Sequence, residues 1–361
     1  MCIKNGLVNA SIVVSGSMFA IGAHAQGSVT LFGIVDGGML FLSKTQNASG
    51  SNGGKLTGFT DSGQVPSQFG LTGTEDLGGG LTAEFKLESG IDIGNGGYND
   101  SNGNFFGREA NVGLKGPFGE VKAGLQFSPF FNTLFDLDPR ALSQFGSSLP
   151  IYLNYAAATG VFNANSLSYS SPRIAGFQGS LMYALGGQAG NFAAGRQYSA
   201  SLSYQWRGLS IEAAFYDGNP GGTVQTNPPS TLGFEGRMVG AVYRYAKLTA
   251  KASYTNYKVA GSGVNNDVYG GGLDYALTPD LDLDGGVWYT SNRNDRSTHA
   301  LMGAFGASYF LSKATTLYAQ VGAADNHGSS DLGLEVGDAP TSLHAPAGTT
   351  VGADIGIRHV F

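Results

Sequence analysis

The sequence predicts an all-β protein, a sixteen-stranded antiparallel transmembrane β-barrel with short turns at one end and long loops at the other. Three observations support this fold. The 361 residues include 58 glycines, 22 phenylalanines and 17 tyrosines, a composition that disfavours helices. Only 13% of the residues are charged, and no apolar window long enough for a membrane-spanning helix follows residue 25. Apolar and polar residues instead alternate with a period of two along most of the chain.

The first 25 residues have the pattern of a cleaved signal peptide. Lys4 supplies a positive charge, Leu7–Ile21 is mainly small and apolar, and Ala23–Ala25 is a small-residue cleavage site. We therefore expect the barrel domain to span residues 26–361. Cys2, the only cysteine, would leave with the signal, so no disulfide and no cysteine-bound metal is expected. Removing Lys4 leaves 19 of the 20 basic residues against 26 acidic ones, a balance that does not suit a nucleic-acid partner.

Each predicted strand has one apolar and one polar face. In "GLTAEFKLES", for example, leucine, alanine and phenylalanine alternate with threonine, glutamate and lysine. Short turns with Gly, Pro or Asp alternate with long polar connections, among them 44–64, 128–163, 218–234 and 325–349, and this alternation is typical of transmembrane β-barrels. The sixteen predicted strands are 28–43, 65–74, 80–92, 105–114, 119–127, 165–172, 175–186, 197–206, 208–217, 235–245, 248–258, 268–277, 280–291, 300–311, 315–324 and 350–361.

Aromatic residues near the strand ends give independent support, because two membrane–water interfaces select two aromatic rows. The last strand, Val351–Phe361, is expected to close the barrel against Val29–Phe41, which leaves no unpaired edge. The predicted lower row is Tyr169, Trp206, Tyr245, Tyr275, Tyr309 and Phe361, and the upper row is Phe41, Phe127, Tyr183, Phe215, Tyr254 and Tyr289.

Several longer stretches make the chain resemble the general porins of Gram-negative outer membranes, in their β-proteobacterial, neisserial-like branch. They are "SVTLFGIVDGG", "FGLTGTEDLGGGLTAEFKLESG", "FFGREANVGLKGPFGEVKAG", "YSSPRIAGF", "AGRQYSASLSY" and "GIRHVF". The resemblance implies passive diffusion of ions and small hydrophilic solutes across the outer membrane. It further implies a homotrimer in lipid and lipopolysaccharide, a third long loop (128–163) that constricts the pore, and a terminal Phe361 that the barrel-assembly machinery reads. A substrate-specific channel of the same architecture is the alternative.

The chain departs from that family at three positions that bear on ion selectivity. Members of the family commonly carry arginines in the motifs S-R-F-G, G-R-Q and S-x-R-Y, which form the positive wall of the constriction. The corresponding residues here are Gln68, Leu125 and Ser168. Alternation directs Gln68 and Ser168 into the lumen and Leu125 toward lipid, unless its strand is irregular. The family's usual preference for anions therefore does not carry over, and we expect a weakly cation-preferring or nearly non-selective pore.

The inward faces of the predicted strands carry more acids than bases, which favours cations. Alternation places eight acids inside, Asp36, Glu84, Glu88, Glu212, Asp274, Asp282, Asp284 and Asp354, against four bases, Lys86, Arg244, Lys251 and Arg358. With loop 3 and Arg108 included, the pore-lining candidates are Asp36, Gln68, Glu84, Lys86, Glu88, Arg108, Asp136, Asp138, Arg140, Ser168, Glu212, Arg244, Asp354 and Arg358.

No enzyme motif is present: the sequence contains no P-loop, no G-x-S-x-G and no H-E-x-x-H. Asp325, His327 and Asp331 in "DNHGSSD" are residue types that bind metals, but a solvated loop is the simpler interpretation. We expect no catalytic residues, no cofactor and no metal.

Overall fold

The computed structural model describes residues 27–156, 160–223, 231–336 and 342–361, and the predicted signal peptide lies outside them. The described part of the chain contains seventeen strands and two helices. They are β1 (Ser28–Gln46), β2 (Asn52–Asp61), β3 (Gln68–Gly78), β4 (Leu81–Gly90), β5 (Glu109–Gly116), β6 (Gly119–Phe127), α1 (Pro129–Leu137), α2 (Ser148–Ala156), β7 (Phe162–Ser170), β8 (Phe177–Ala184), β9 (Gln197–Trp206), β10 (Leu209–Gly218), β11 (Phe234–Tyr245), β12 (Leu248–Val259), β13 (Asn265–Thr278), β14 (Leu281–Asn292), β15 (His299–Phe310), β16 (Thr315–His327) and β17 (Gly348–Val360).

The sheet is closed and antiparallel, and it has sixteen strand positions, as predicted. β17 pairs with β1, with Ile34 opposite Val360 and Leu42 opposite Gly352. β2 and β3 both pair with β1, β2 along its upper part and β3 along its lower part, so together they form the second barrel strand. Closure pairs the backbone groups that an edge strand would expose to hydrocarbon.

The predicted loop at 44–64 is wrong, because β1 continues to Gln46 and β2 occupies residues 52–61. Three glycines and a lysine in "NGGKLTGFTD" obscure the alternation that β2 nevertheless has. Leu56 lies opposite the buried Leu42 on the lumen side, and Phe59 lies opposite Met39 on the outer side. The other predicted strands are present with boundaries displaced by a few residues, the fourth beginning at Glu109 rather than 105.

The outer wall of the barrel is apolar. Val29, Leu181 and Ile355, for example, are 66%, 59% and 64% exposed. All six aromatic residues of the predicted lower row are exposed on the outside. Phe127 of the predicted upper row is an exception: it packs against Phe131 and Phe162, at ring distances of 5.4 and 5.5 Å. None of the described helices is long and apolar enough to cross a membrane.

The third loop folds into the barrel, as the resemblance implies. Ser128 caps α1 by accepting a hydrogen bond from the Phe131 backbone N–H at 3.1 Å, and proline begins the helix, where its missing N–H costs nothing. Phe130 of α1 then packs against Tyr216 and Tyr257 of the barrel wall, at ring distances of 6.3 and 6.4 Å. These buried aromatic contacts hold α1 against β9–β12.

We expect Gly33→Val to impair assembly, because a Cβ at Gly33 would lie 2.8 Å from the Gln68 carbonyl oxygen, which cannot move freely, and 2.3 Å from the Phe361 ring. Gly33 and Phe361 also exchange two backbone hydrogen bonds of 3.0 Å, which join the last residue to β1. Overpacking of this kind costs about 1–3 kcal/mol. The outer-membrane yield and the heat-modifiable fraction on gels measure the effect. Gly179→Val is the matched control, since its Cβ meets nothing closer than 3.8 Å. Equal yields of the two variants would contradict the prediction.

Candidate functional site: the barrel lumen

Loop 3 divides the lumen into two unequal parts. A polar cavity of about 470 Å³ lies between α1 and the inner faces of β4–β10. On the side of β14–β17 and β1, loop 3 packs against the wall, and a smaller cavity of about 140 Å³ lies there. The larger cavity is therefore the candidate solute path.

The bases that line the first wall of the larger cavity, Lys86 of β4 and Lys122 of β6, form ion pairs with acids, as does the adjacent Arg108. Lys86 forms ion pairs with Glu88, at 2.7 Å, and with Glu109. The Arg108 guanidinium donates to Glu88 at 2.8 Å and lies over the Phe127 ring. Nearer the lower end of the barrel, Lys122 lies 3.3 Å from Glu84 and 3.4 Å from Glu120. This wall is strongly charged, but its charges largely compensate one another.

The second wall, on β7–β9, is neutral and polar. The residues on its inward face are mainly serine and glutamine. The residues that alternate with them, such as Leu167, Leu181 and Leu202, are exposed on the outer face. Ser168, a predicted pore-lining residue, donates a hydrogen bond of 2.7 Å to the side chain of Gln126, which was not predicted from the sequence. Both residues line the cavity. Such a wall presents donors and acceptors to any hydrated solute without a net charge.

Two carboxylates, Asp136 on α1 and Glu212 on β10, complete the cavity. In the described part of the chain neither has an ion-pair partner within 4.0 Å, although the Ser210 hydroxyl donates to Glu212 at 2.8 Å. They repel each other electrostatically, and Lys251 and Arg244 attract Asp136. Both carboxylates border the cavity.

Arg140 belongs to the opposite, closed side of the lumen. Its guanidinium donates to Asp284, to the Gln320 side chain at 2.6 Å, and to the carbonyl oxygens of Phe145 and Gly146. The residue is only 5% exposed. Arg140 therefore holds loop 3 against β14 and β16, and its charge is used within the protein.

Three predicted acids also serve the structure rather than the solute path. Asp138 accepts backbone hydrogen bonds from Arg140 and Ser148, at 2.8 and 2.7 Å, and so shapes the turn after α1. Asp36 is fully buried and accepts a hydrogen bond of 2.6 Å from Tyr318. Asp354, 2% exposed, accepts one of 3.0 Å from Gln320, the residue that also binds Arg140.

The remaining candidates lie apart from this network. Gln68 begins β3 on the lumen side, and Arg244 is an exposed residue near the lower end of β11. Arg358 borders the 140 Å³ cavity together with Asp274, Asp282 and Asp284. Leu125 lies opposite Ala110, which places it on the outer side, although β6 is irregular against β7 between Gly124 and Gln126. The expected outward direction of Leu125 is thus consistent with the register.

Sequence reasoning missed several residues of the lumen. Glu109, Glu120 and Lys122 follow the same alternation as Glu84 and Lys86, so the pattern could have identified them. Gln320, by contrast, is an uncharged residue whose importance depends on Arg140, a residue 180 positions away. Including the new charged residues leaves the lumen with more acids than bases.

The residues of "DNHGSSD" do not gather into one site. Asp325 accepts from His327 at 3.0 Å at the end of β16, whereas Asp331 accepts from His344, also at 3.0 Å, and from Asn154 of loop 3. The hydrogen bond to Asp331 raises the pKa of the His344 imidazole. Within the described ranges no group of three or more His, Cys, Asp or Glu residues could hold a metal ion.

Comparison with known proteins gives consistent matches. The profile of the Gram-negative porin family matches residues 10–329. Outer membrane porin protein 32 of Delftia acidovorans is 31% identical over 371 residues, which cover 97% of this chain and 99% of the relative. Major outer membrane protein P.IB of Neisseria gonorrhoeae is 32% identical over 203 residues, 56% of this chain and 55% of that protein.

Solved structures agree with the fold. The anion-selective porin from Comamonas acidovorans superimposes with a TM-score of 0.77 at 27% identity, covering 93% of this chain and 100% of that one. OmpT of Vibrio cholerae in its trimer form has a TM-score of 0.66 at 15% identity, with 93% and 99% covered.

We expect Arg140→Met to loosen loop 3, because Asp284, the Gln320 side chain and the carbonyl groups of Phe145 and Gly146 then lose the hydrogen bonds from the Arg140 guanidinium. Breaking a buried ion pair on one side costs about 3–5 kcal/mol. Open-channel current noise should rise and the temperature of trimer or monomer unfolding on gels should fall. Arg173→Met is the control, since Arg173 is exposed in a turn and bonds only to Gly176 and Gln178. Unchanged noise in Arg140→Met would show that loop 3 is held by its aromatic contacts alone.

Proposed function

Because this chain belongs to the Gram-negative porin family and is a general diffusion porin of the outer membrane, we propose a weakly cation-preferring or nearly non-selective pore formed by each copy of a homotrimer. The permeating species are ions and small hydrophilic solutes. The proposal includes no catalytic activity, no cofactor and no metal.

One observation carries the proposed selectivity: the bases that line the larger cavity, Lys86 and Lys122, are paired with acids, whereas Asp136 and Glu212 have no ion pair within 4.0 Å among the described residues, although Lys251 and Arg244 attract Asp136 electrostatically. Lys86 and Lys122 each lie within 3.4 Å of two carboxylates, so an entering anion meets no unopposed positive wall on β4–β6. The neutral wall that contains Ser168 adds no positive charge. The remaining potential is negative, and salt screens it over about 8 Å at physiological ionic strength.

The solved porin from Comamonas acidovorans is described as anion-selective, and its identity to this chain is 27%. We propose a different ion preference for this chain, because Gln68, Leu125 and Ser168 stand where general porins commonly have arginine. Arg108 and Arg140, which could have replaced those arginines, are buried and bound to carboxylates.

A substrate-specific channel is the second candidate, and exposed aromatic residues along the solute path would favour it. The aromatic cluster inside this barrel is of another kind. Tyr152, Tyr216, Phe234 and Tyr257 are at most 2% exposed and hold loop 3 to the wall. This observation favours the general porin.

The distribution of tyrosine on the outer wall supports the trimer. Tyrosine is enriched where a protein meets the lipid–water interface. Exposed tyrosines occur on β7, β11 and β13–β15, whereas in the described part of the chain β16, β17 and β1–β6 have none on their outer face. That second sector exposes Val29, Leu31, Val112 and Ile355 instead. We assign it to contacts with the neighbouring copies.

The other partners follow from the outer surface. Arg237, on the outer face of β11 beside the Phe215 ring, and Lys258 and Arg293 nearby are at least half exposed at the upper rim. Each of these bases also lies beside an acid, Glu235 or Asp267, and we assign their exposed charges above the aromatic row to the phosphate groups of lipopolysaccharide. The exposed terminal Phe361 suits recognition by the barrel-assembly machinery.

We expect Gln68→Arg with Ser168→Arg to shift the reversal potential in a salt gradient toward anion preference. The two arginines would face the lumen near loop 3, where the path is narrow and screening is least effective. Planar-bilayer recording of the unmodified and substituted pores measures the shift. Asp325→Ala, on the exposed upper end of β16, should leave the reversal potential almost unchanged. Strong chloride preference of the unmodified pore would refute the proposed selectivity.

We expect a photo-crosslinking amino acid at Val112 to form adducts with a second copy of the chain, and the same amino acid at Val239 to form adducts with lipid. Both positions are exposed on the outer wall, at 59% and 47%, but they lie in the tyrosine-free and tyrosine-bearing sectors respectively. Gel analysis after irradiation in outer membranes distinguishes the two products. Protein adducts at Val239 and none at Val112 would contradict the assigned trimer face.

A further inference from the structure

The second barrel strand is interrupted, and the interrupting residues turn into the lumen. β2 ends at Asp61, opposite Gly37, and β3 begins at Gln68, opposite Ile34. Only two residues of β1 therefore lie beside the six residues Ser62–Ser67, which we call the lumen insert. The four surplus residues cannot remain in the sheet, and every residue of the insert is buried or half-buried inside the barrel.

Asp36 of β1 holds the insert in place. Its carboxylate accepts the backbone N–H groups of Gln64 and Val65, at 3.1 and 2.8 Å, and the Tyr318 hydroxyl at 2.6 Å. The Ser67 hydroxyl bonds to both the N–H and the carbonyl of Asp36, at 3.0 Å each. Unpaired backbone groups at membrane depth cost several kcal/mol each, so a strand interruption persists only when it is satisfied in this way.

The insert also contacts the opposite part of the wall. The Gln64 amide donates to the Ser308 hydroxyl of β15 at 3.0 Å, and the Gln320 amide of β16 donates to the Gly63 carbonyl at 2.9 Å. The Gln64 carbonyl accepts from the Gln144 backbone of loop 3 at 3.1 Å. The insert thus spans the inner faces of β17 and β16.

The described part of loop 8, the connection between β16 and β17 (residues 328–336 and 342–347), lies above the lumen insert. The Val336 N–H donates to the Gln144 carbonyl at 3.0 Å, and the Gly146 N–H donates to the Leu334 carbonyl at 2.7 Å, so the descending part of loop 8 pairs with loop 3. Leu334 and Phe145 are at most 1% exposed. With Arg140 bound below, this side of the lumen is occupied from the loops to the level of Asp36.

We propose that the lumen insert is a fixed obstruction of the pore: together with loop 3 and loop 8 it closes the side of β15–β17 and β1, and it confines solutes to the cavity beside β4–β10. Asp36 is the residue that positions it. A continuous second strand would complete the barrel equally well, so the insert is not needed for closure. Its hydrogen bonds are directed at loop 3 and the far wall, as an obstruction of the lumen requires.

Deleting residues 63–66 tests the proposal, because the deletion restores one register along the whole second strand. With four residues removed, Ser62 lies beside Asp36, Ser67 lies beside Val35, and Gln68 still pairs with Ile34. With loop 3 and loop 8 still in place, the freed space should raise single-channel conductance above that of the unmodified pore and admit larger polyethylene glycols. Heat-modifiable assembly and β-type CD confirm that the variant is folded.

Asp36→Ala is the second variant, and it keeps the full chain length. It removes the acceptor for Gln64 and Val65, so conductance should rise in the same direction. Asp36→Asn is its matched control, because the amide oxygen can still accept both N–H groups, and its conductance should stay near that of the unmodified pore. Unchanged conductance and polymer exclusion in Asp36→Ala would overturn the proposal, whether or not the deletion assembles. Measurable current through the unmodified pore separately verifies that the chain is a diffusion porin.

Discussion

The pairing of β1 with β17 is the constraint on which the rest of the structure depends. In hydrocarbon every backbone donor and acceptor must be satisfied within the protein, so the sheet closes or it does not span. Closure brings Gly33 beside Phe361, where the absence of a side chain on one residue leaves room for the ring of the other. It also fixes the alternation, because a shift of one residue in any strand would exchange its lipid and lumen faces.

A closed barrel of sixteen strands leaves a lumen wide enough for water, and this chain reduces that space with loop 3, loop 8 and the lumen insert. Bringing irregular backbone into the lumen creates many unpaired groups. Asp36, Asp138 and Arg140 each satisfy several of them at once, and their burial follows from that role. A charged residue inside a porin is therefore not necessarily a residue that meets the solute.

Alternation in the sequence was sufficient to predict the class of fold, the number of barrel strands and the direction of most side chains. It was not sufficient for β2, because Gly53, Lys55 and Thr57 precede Phe59 on the outer face and leave it without an apolar pattern. It also placed Asp36 inside without showing that Asp36 would be covered. "SGQVPS" is an ordinary polar segment until the registers of β2 and β3 reveal four surplus residues. Information of this kind lies in the pairing of distant strands, and a local pattern does not contain it.

The same distinction applies to charge. A count of inward acids and bases treats each charge as independent, and the structure shows them in groups. Lys86, Glu88, Arg108 and Glu109 lie within one connected cluster, whose field at a distance is that of a nearly neutral object. Charges separated by more than about 8 Å are largely screened at physiological salt, so only groups beside the solute path act on an ion. The acid excess of the chain therefore has little effect by itself, and the preference that we propose depends on Asp136 of α1 and Glu212 of β10, the two carboxylates beside the cavity that have no ion pair within 4.0 Å in the described part of the chain.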